Sequence, residues 1–139
     1  MGPAGLCLAL ALALGPTPPV FIEAQAFTLA WTHSIEKVRW EEDYRIVTPG
    51  DGSPPALVAW RARVRGSGAG MEPGAQARWR DGWFEYPTPM DPLPALHLSR
   101  SEFVPDYELC LAAGCRPMSH WLPSDGGTTV VTACAGNRR

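Results

Sequence analysis

The stretch FTLAWTH (residues 27–33) decides the fold, because bulky apolar side chains occupy every second position along it. Successive side chains of a β-strand point to opposite faces, so a period of two predicts a strand with one buried face. The side chains that share this face are Phe27, Leu29, Trp31 and His33. We therefore predict a half-buried strand that carries one polar residue, His33, at the end of its apolar face.

The next segment repeats the same period and predicts a hairpin with residues 27–33. Its apolar residues all lie at even-numbered positions, which fits a strand and not a helix of 3.6 residues per turn; they are Val38, Trp40, Tyr44 and Ile46. Charged side chains fill the alternate positions, which are Lys37, Arg39, Glu41, Asp43 and Arg45. Since one face of an antiparallel sheet commonly contacts water, we expect this charged face to be solvated.

The remaining segments are short, β-rich and separated by Gly and Pro, which is typical of an all-β domain. A third strand is predicted, whose apolar face carries Val58, Trp60, Ala62 and Val64. Asp81-Gly82 lies between aromatic-bearing segments and predicts a tight hairpin turn. Further predicted elements are strands near 96–100, 106–111 and 128–134 and one short helical turn near 117–122.

These elements predict one small domain. Its fold class is all-β, a single antiparallel β-sandwich or partly open barrel of about seven or eight short strands.

Residues 1–26 match the pattern of an export signal. The apolar run at 6–14 is followed by chain breakers at 15–19, and Ala24-Gln25-Ala26 supplies the small-x-small motif that signal peptidases accept. The run is too short for a permanent membrane anchor. We therefore predict a signal peptide over 1–26, a mature domain over 27–139 without a membrane span, and a periplasmic or secreted location. A buried core helix is the alternative interpretation of the run.

The charge of the chain excludes some partners. Removal of residues 1–26 takes away Glu23 and no basic residue, so a net charge of −2 becomes −1. Such a balance gives no electrostatic reason to expect binding to nucleic acid or to an anionic membrane. All six tryptophans lie after residue 26, and we expect most of them to pack in the core.

Cysteine usage predicts one disulfide in the mature domain. Cys7 falls within the predicted signal, which leaves Cys110, Cys115 and Cys134 in an oxidising compartment. Cys110 and Cys115 flank a short hairpin loop and form the first pairing that we expect. Cys115 with Cys134 is the second, and the first pairing would leave Cys134 as a buried free thiol.

Polar residues on apolar faces are the candidate ligand-binding residues. Glu42 lies between Trp40 and Tyr44 on the apolar face of the second predicted strand. A buried carboxylate needs a hydrogen-bond donor, and alternation makes His33 the nearest candidate on the same face of the predicted hairpin. This pair is either functional or a structural ion pair at the end of the sheet. The other members of the candidate site are Ser34 and Glu36 beside His33, and Gly68 and Gly70 in a glycine run suited to close approach.

No motif for catalysis, metal or cofactor binding is predicted. The spacing of His and acidic residues matches no zinc or iron pattern, and no Ser lies in a nucleophile elbow. The glycine run does not open a helix and is not a dinucleotide fingerprint. We therefore expect no catalytic residue, no metal and no cofactor, and a non-enzymatic role is favoured.

The chain resembles a family of small exported bacterial proteins, the domain of unknown function family DUF1850. The matching pieces are WTHSIE at 31–36, EE at 41–42, GAGM at 68–71, DGW at 81–83 and PDYELC at 105–110 with Cys115. Members of that family are commonly encoded beside TAXI-type TRAP transporters. The resemblance implies a periplasmic accessory or binding module whose partners are the TRAP membrane subunits or the solute-binding protein. The alternatives are a small periplasmic hydrolase or isomerase that uses His33 with Glu42 or Glu36, and a purely structural envelope protein.

Overall fold

The structure is a computed structural model that describes residues 2–11, 17–32, 37–66 and 77–136. Within these residues it contains strands and a single 3-10 turn, Met118–His120. The strands are β1 (Ala4–Leu10), β2 (Val20–Glu23), β3 (Ala26–Thr32), β4 (Arg39–Val47), β5 (Ala56–Arg65), β6 (Arg78–Arg80), β7 (Trp83–Pro87), β8 (Pro92–Leu93), β9 (Leu96–Ser99), β10 (Glu108–Leu111), β11 (Gly114–Pro117) and β12 (Thr128–Ala135).

The strands form two antiparallel sheets that pack face to face as a sandwich. The smaller sheet has the order β2-β1-β12-β9, and the larger has the order β11-β10-β3-β4-β5-β7-β6, with β8 beside β5. Both sheets contribute to one core, whose buried members include Leu6, Leu8, Leu98, Val131, Phe27, Leu29, Leu57 and Leu109. The predicted all-β class is confirmed, and the described strands close no barrel. The predicted number of strands is too low because several strands are only two to four residues long.

Four local predictions from the sequence are confirmed. The β3–β4 hairpin places Trp31 opposite Trp40 and Phe27 opposite Tyr44. Asp81 and Gly82 join β6 to β7 with φ of 51° and 83°, as a two-residue turn with two left-handed positions requires. The helical turn and the last strand lie where the sequence predicts them.

The face prediction for the third strand is wrong at Trp60 and at Val58, which lies opposite Arg45 on the charged side of the sheet. Asp43 lies opposite Arg61 and Tyr44 lies opposite Ala59, so Trp60 is an extra residue on β5, a β-bulge. A bulge shifts the alternation by one position, and it moves Trp60 from the core face to the charged face. Ala62 and Val64 remain in the core because the alternation resumes after the bulge.

The predicted signal segment contains β1, one of the two inner strands of the smaller sheet. Strand β1 pairs with β12 over seven residues and with β2 over four, and Leu6 and Leu8 are completely buried. Apolar leucines alternate with Cys7 and alanines along this strand, which suits a β-strand as well as an export signal. Cleavage after Ala26 stays a prediction, and it would separate β1 and β2 from the rest of the sandwich.

Two disulfides join the four cysteines. Cys110 is bonded to Cys115 across the β10–β11 hairpin, which is the first pairing expected from the sequence. Cys7 is bonded to Cys134 between the neighbouring strands β1 and β12. The expectation of a free Cys134 is therefore wrong, because it assigned Cys7 to a segment removed at export. Two disulfides fit an extracytoplasmic protein.

In the described part of the chain, no helix is both long and apolar enough to cross a membrane.

A chain that begins at residue 27 tests the role of β1 and β2. We expect it to lose the cooperative thermal unfolding of the full chain, since loss of Leu6 and Leu8 uncovers the core at about 2 kcal/mol for each leucine. Near-UV circular dichroism during heating measures this. A chain shortened by residues 137–139 is the control, and cooperative unfolding of the 27–139 chain near the full-length midpoint would show that the first two strands are dispensable.

Candidate functional site

Seven of the 12 basic residues lie on the outer face of the larger sheet, the face turned away from the core. The cross-strand register places them together, because residues directly opposite each other share a face. We call this surface the arginine face, and it is defined by Arg39, Arg45, Arg61, Arg63, Arg65, Arg78 and Arg80.

Two carboxylates on β4 hold the centre of the arginine face together. Asp43 accepts hydrogen bonds from Arg61 Nε at 2.9 Å, from Arg63 Nη1 at 2.8 Å and from the Thr28 hydroxyl at 2.6 Å. Glu41 accepts from Arg63 Nε at 2.8 Å and from Arg39 Nε at 2.6 Å. The alternation of acids and arginines along neighbouring strands therefore forms a connected ion-pair network.

Asp43 is buried, with 5% of its surface exposed, so the expectation of a solvated charged face is wrong at this residue. Burial is the largest single effect and would raise the pKa of Asp43. The hydrogen bonds from Arg63, Thr28 and Arg61 together outweigh it and hold the pKa below its usual value. Asp43 is therefore a permanent negative charge near neutral pH, and not a group that gains and loses protons.

Tryptophans separate the arginines of this face. The Arg45 guanidinium lies 4.2 Å from the centre of the Trp60 ring, and the Arg61 guanidinium lies 4.5 Å from it. Arg65 lies 5.3 Å from the centre of the Trp83 ring. Cation–π contacts of this kind hold the guanidinium planes in place without neutralising their charge.

An open cleft of about 810 Å³ lies beside this network. Its floor includes Thr28, Asp43 and Arg63, and Trp60 and Arg61 also line it. The β10–β11 turn at Ala112–Ala113 lines it together with the β2–β3 connection at Glu23–Ala26. A cleft with apolar walls and a few fixed charged groups suits the binding of a small solute or of a protruding segment of a partner.

The inner face carries a second polar group, Glu42. The Tyr44 hydroxyl donates a hydrogen bond to Glu42 Oε1 at 3.0 Å, so Tyr44 is a donor that the sequence analysis missed. Burial and then the Glu42 carboxylate raise the pKa of Tyr44 above its usual value, and the same two effects raise the pKa values of Tyr86 and Tyr107. The three tyrosines of the chain therefore share one electrostatic neighbour.

Most residues of the predicted site lie outside the described residues, namely His33, Ser34, Glu36, Gly68 and Gly70. The described strands show where their segments connect. β3 ends at Thr32, β4 begins at Arg39 and β5 ends at Arg65, and the register places these three strand ends at the same edge of the sheet. The pairing of His33 with Glu42 stays a prediction. Within the described ranges, no three His, Cys, Asp or Glu side chains are grouped to hold a metal ion.

A buried arginine connects the two sheets, and no sequence pattern pointed to it. Arg100 has 2% of its surface exposed and donates to both oxygens of Asp106 at 3.0 Å, and it also donates to the Thr129 hydroxyl at 3.1 Å. Asp106 in turn accepts from the backbone N–H groups of Tyr107 and Ser119. Its pKa is lowered, because these hydrogen bonds outweigh burial, which alone would raise it. We interpret the Arg100–Asp106 pair as structural, because the guanidinium and the carboxylate bind each other and neighbouring groups of the protein.

The fold and the site define a class of protein: a small disulfide-bonded β-sandwich with a charged, open cleft on the outer face of its larger sheet. The chain belongs to the family described as Domain of unknown function (DUF1850), whose family model matches residues 27–118. The family resemblance predicted from the sequence is thereby confirmed. The match spans nearly all of the larger sheet, whereas β1, β2 and β12 lie outside it. No curated protein and no solved structure matches the chain.

Substitution of Asp43 by Asn tests the ion-pair network. We expect the unfolding free energy at neutral pH to fall by about 2 kcal/mol, because Arg61 and Arg63 lose the charge that they share. The pKa of Asp43 is lower in the folded state than in the unfolded state, where it is near 3.8. The ionised carboxylate therefore stabilises the fold at pH values above 3.8, and this contribution is lost as the pH falls through the folded-state pKa. The variant should therefore lose less stability than the wild type below about pH 4.

Urea unfolding followed by tryptophan fluorescence across the acid range measures both effects. Asp91→Asn, at an exposed position, is the matched control. Some acid sensitivity should remain in the Asp43 variant, because the pKa of Asp106 is lowered too. An unchanged neutral-pH stability would contradict the network.

Glu42→Gln tests the inner-face cluster. Removal of the negative charge should lower the pKa values of the tyrosines, since the carboxylate disfavours the phenolate form of each. Ultraviolet titration of phenolate absorbance reports only these three side chains, because the chain has three tyrosines. Glu85→Gln, on the opposite face, is the control. Identical titration curves for the two variants would show that Glu42 does not act on the tyrosines.

Proposed function

We propose that the protein is an extracytoplasmic binding module that has no catalytic activity of its own and assists a TRAP-type (TAXI) solute uptake system in the periplasm. The observation that carries the binding role is the open cleft of about 810 Å³ beside Asp43, Arg61 and Arg63. Membership of the DUF1850 family and the two disulfides support the setting.

The chemistry of the cleft favours binding over catalysis. Its buried carboxylate, Asp43, has a lowered pKa, and its basic groups are guanidiniums, which stay protonated at all physiological pH values. General acid–base catalysis needs a group whose pKa lies near the working pH. Fixed charges held by hydrogen bonds instead orient a charged or polar group of a ligand.

Affinity capture from envelope extracts tests the proposed role. The tagged protein should recover the TRAP membrane subunits or the solute-binding protein, or native mass spectrometry should find a bound solute. Ala112→Trp places a large ring at the exposed rim of the cleft and should reduce recovery or solute binding. Ala135→Trp, an exposed position on the smaller sheet, is the matched control.

Three outcomes oppose the proposal. Recovery of none of these proteins, together with no bound solute, removes its support. Equal recovery by the two tryptophan variants would show that the cleft is not the binding site. Turnover of a substrate that depends on Glu42 would favour the hydrolase or isomerase alternative.

A further inference from the structure

The arginine face carries more positive charge than its own acids neutralise. Seven arginines share it with four carboxylates, Glu41, Asp43, Glu85 and Glu108, although the whole chain has a net charge of −2. The positive surplus is therefore concentrated on one surface of an otherwise acidic protein. Such an asymmetry marks a surface that attracts a negatively charged partner.

The guanidiniums responsible for the surplus lie towards the β5–β7–β6 side of the sheet and at Arg45. Within the described ranges, Arg45, Arg65, Arg78 and Arg80 are exposed and form no ion pair. Arg39, Arg61 and Arg63, in contrast, are bound to Glu41, Asp43 and Glu108. The first four can therefore bind an incoming acid without breaking an internal ion pair.

Two of these free cations are held in position. Arg45 lies over Trp60, whereas Arg65 lies over Trp83 and donates to the Asp81 carbonyl oxygen at 3.2 Å. Gly82 makes room for this placement, since a Cβ there would lie 3.2 Å from the Arg65 guanidinium. A guanidinium that stacks on a ring loses little freedom on binding and still presents N–H groups to a carboxylate.

We infer that the arginine face binds an acidic segment of a partner protein, with Arg45 and Arg65 as its main carboxylate-binding residues. Paired Trp and Arg side chains are characteristic of energetic hot spots in protein interfaces. The four interspersed carboxylates would repel the continuous phosphates of a nucleic acid, whereas a protein segment with spaced acids can avoid them. This inference rests on the proposed binding role and assigns its partner chemistry.

A short glutamate peptide is the probe for this surface, and a glutamine peptide of equal length is its neutral counterpart. Isothermal titration should detect binding of the glutamate peptide alone, and raised salt should weaken it. The double variant Arg45→Gln/Arg65→Gln should bind it about tenfold more weakly, since two charge-assisted contacts are lost. Arg116→Gln, on β11, should bind as the wild type does, because it changes an exposed arginine outside the defined face.

Near-UV circular dichroism verifies that the double variant is folded, and Arg78→Gln/Arg80→Gln is a second variant on the same face. The inference is overturned if the glutamate peptide does not bind or if both peptides bind equally. It is also overturned if Arg116→Gln weakens binding as much as the double variant Arg45→Gln/Arg65→Gln does. Tighter binding of single-stranded DNA or of phosphatidylglycerol vesicles than of the peptide also overturns it.

The capture experiment separates this inference from the proposed function. If the double variant still recovers the transporter subunits, the proposed function stands and the inference fails. If the glutamate peptide binds as expected but the wild type recovers no subunit and no solute, the inference stands and the transporter role fails.

Discussion

The apolar face of the larger sheet must be covered, and the rest of the structure depends on how β1 covers it. Leu6 and Leu8 are completely buried and belong to the same core as Phe27, Leu29 and Leu109. β1 is also the inner strand to which β2 and β12 attach, so the smaller sheet is organised around it. The first residues of the chain thus support a surface that lies on the far side of the larger sheet.

One irregularity in β5 shapes that surface. Without the bulge, strict alternation from Ala62 would place the Trp60 side chain in the core. With the bulge, Trp60 stands on the charged side, where Arg45 and Arg61 pack on its ring. The same ring lines the cleft beside Asp43, so one inserted residue creates both the aromatic support of the cations and a wall of the cleft.

Features that depend on neighbouring residues could be predicted from the sequence, whereas features that depend on contacts between distant residues could not. Period two and Asp81-Gly82 were enough to predict the β3–β4 and β6–β7 hairpins, since both depend on neighbouring residues. Parity failed at Trp60 because a bulge depends on the partner strand. Arg100 was missed since its partners, Asp106 and Thr129, are brought to it only in the folded sandwich. The Cys7–Cys134 bond was missed because Cys7 was assigned to the predicted signal. Within the candidate site, Glu42 was found from its place in an apolar row, but its donor Tyr44 was not.

The Cys7–Cys134 bond gives the domain the topology of a closed ring. It joins residues 127 positions apart on paired strands, and the Gly136 N–H donates to the Pro3 carbonyl beside it. A protease cut in any loop between the two cysteines would leave both fragments covalently attached. New chain ends could then be opened in such a loop, for instance at the exposed residues 50–53, while the original ends are joined by a short linker. The bond also holds Pro3 and Gly136 beside the smaller sheet, on the side of the sandwich away from the arginine face.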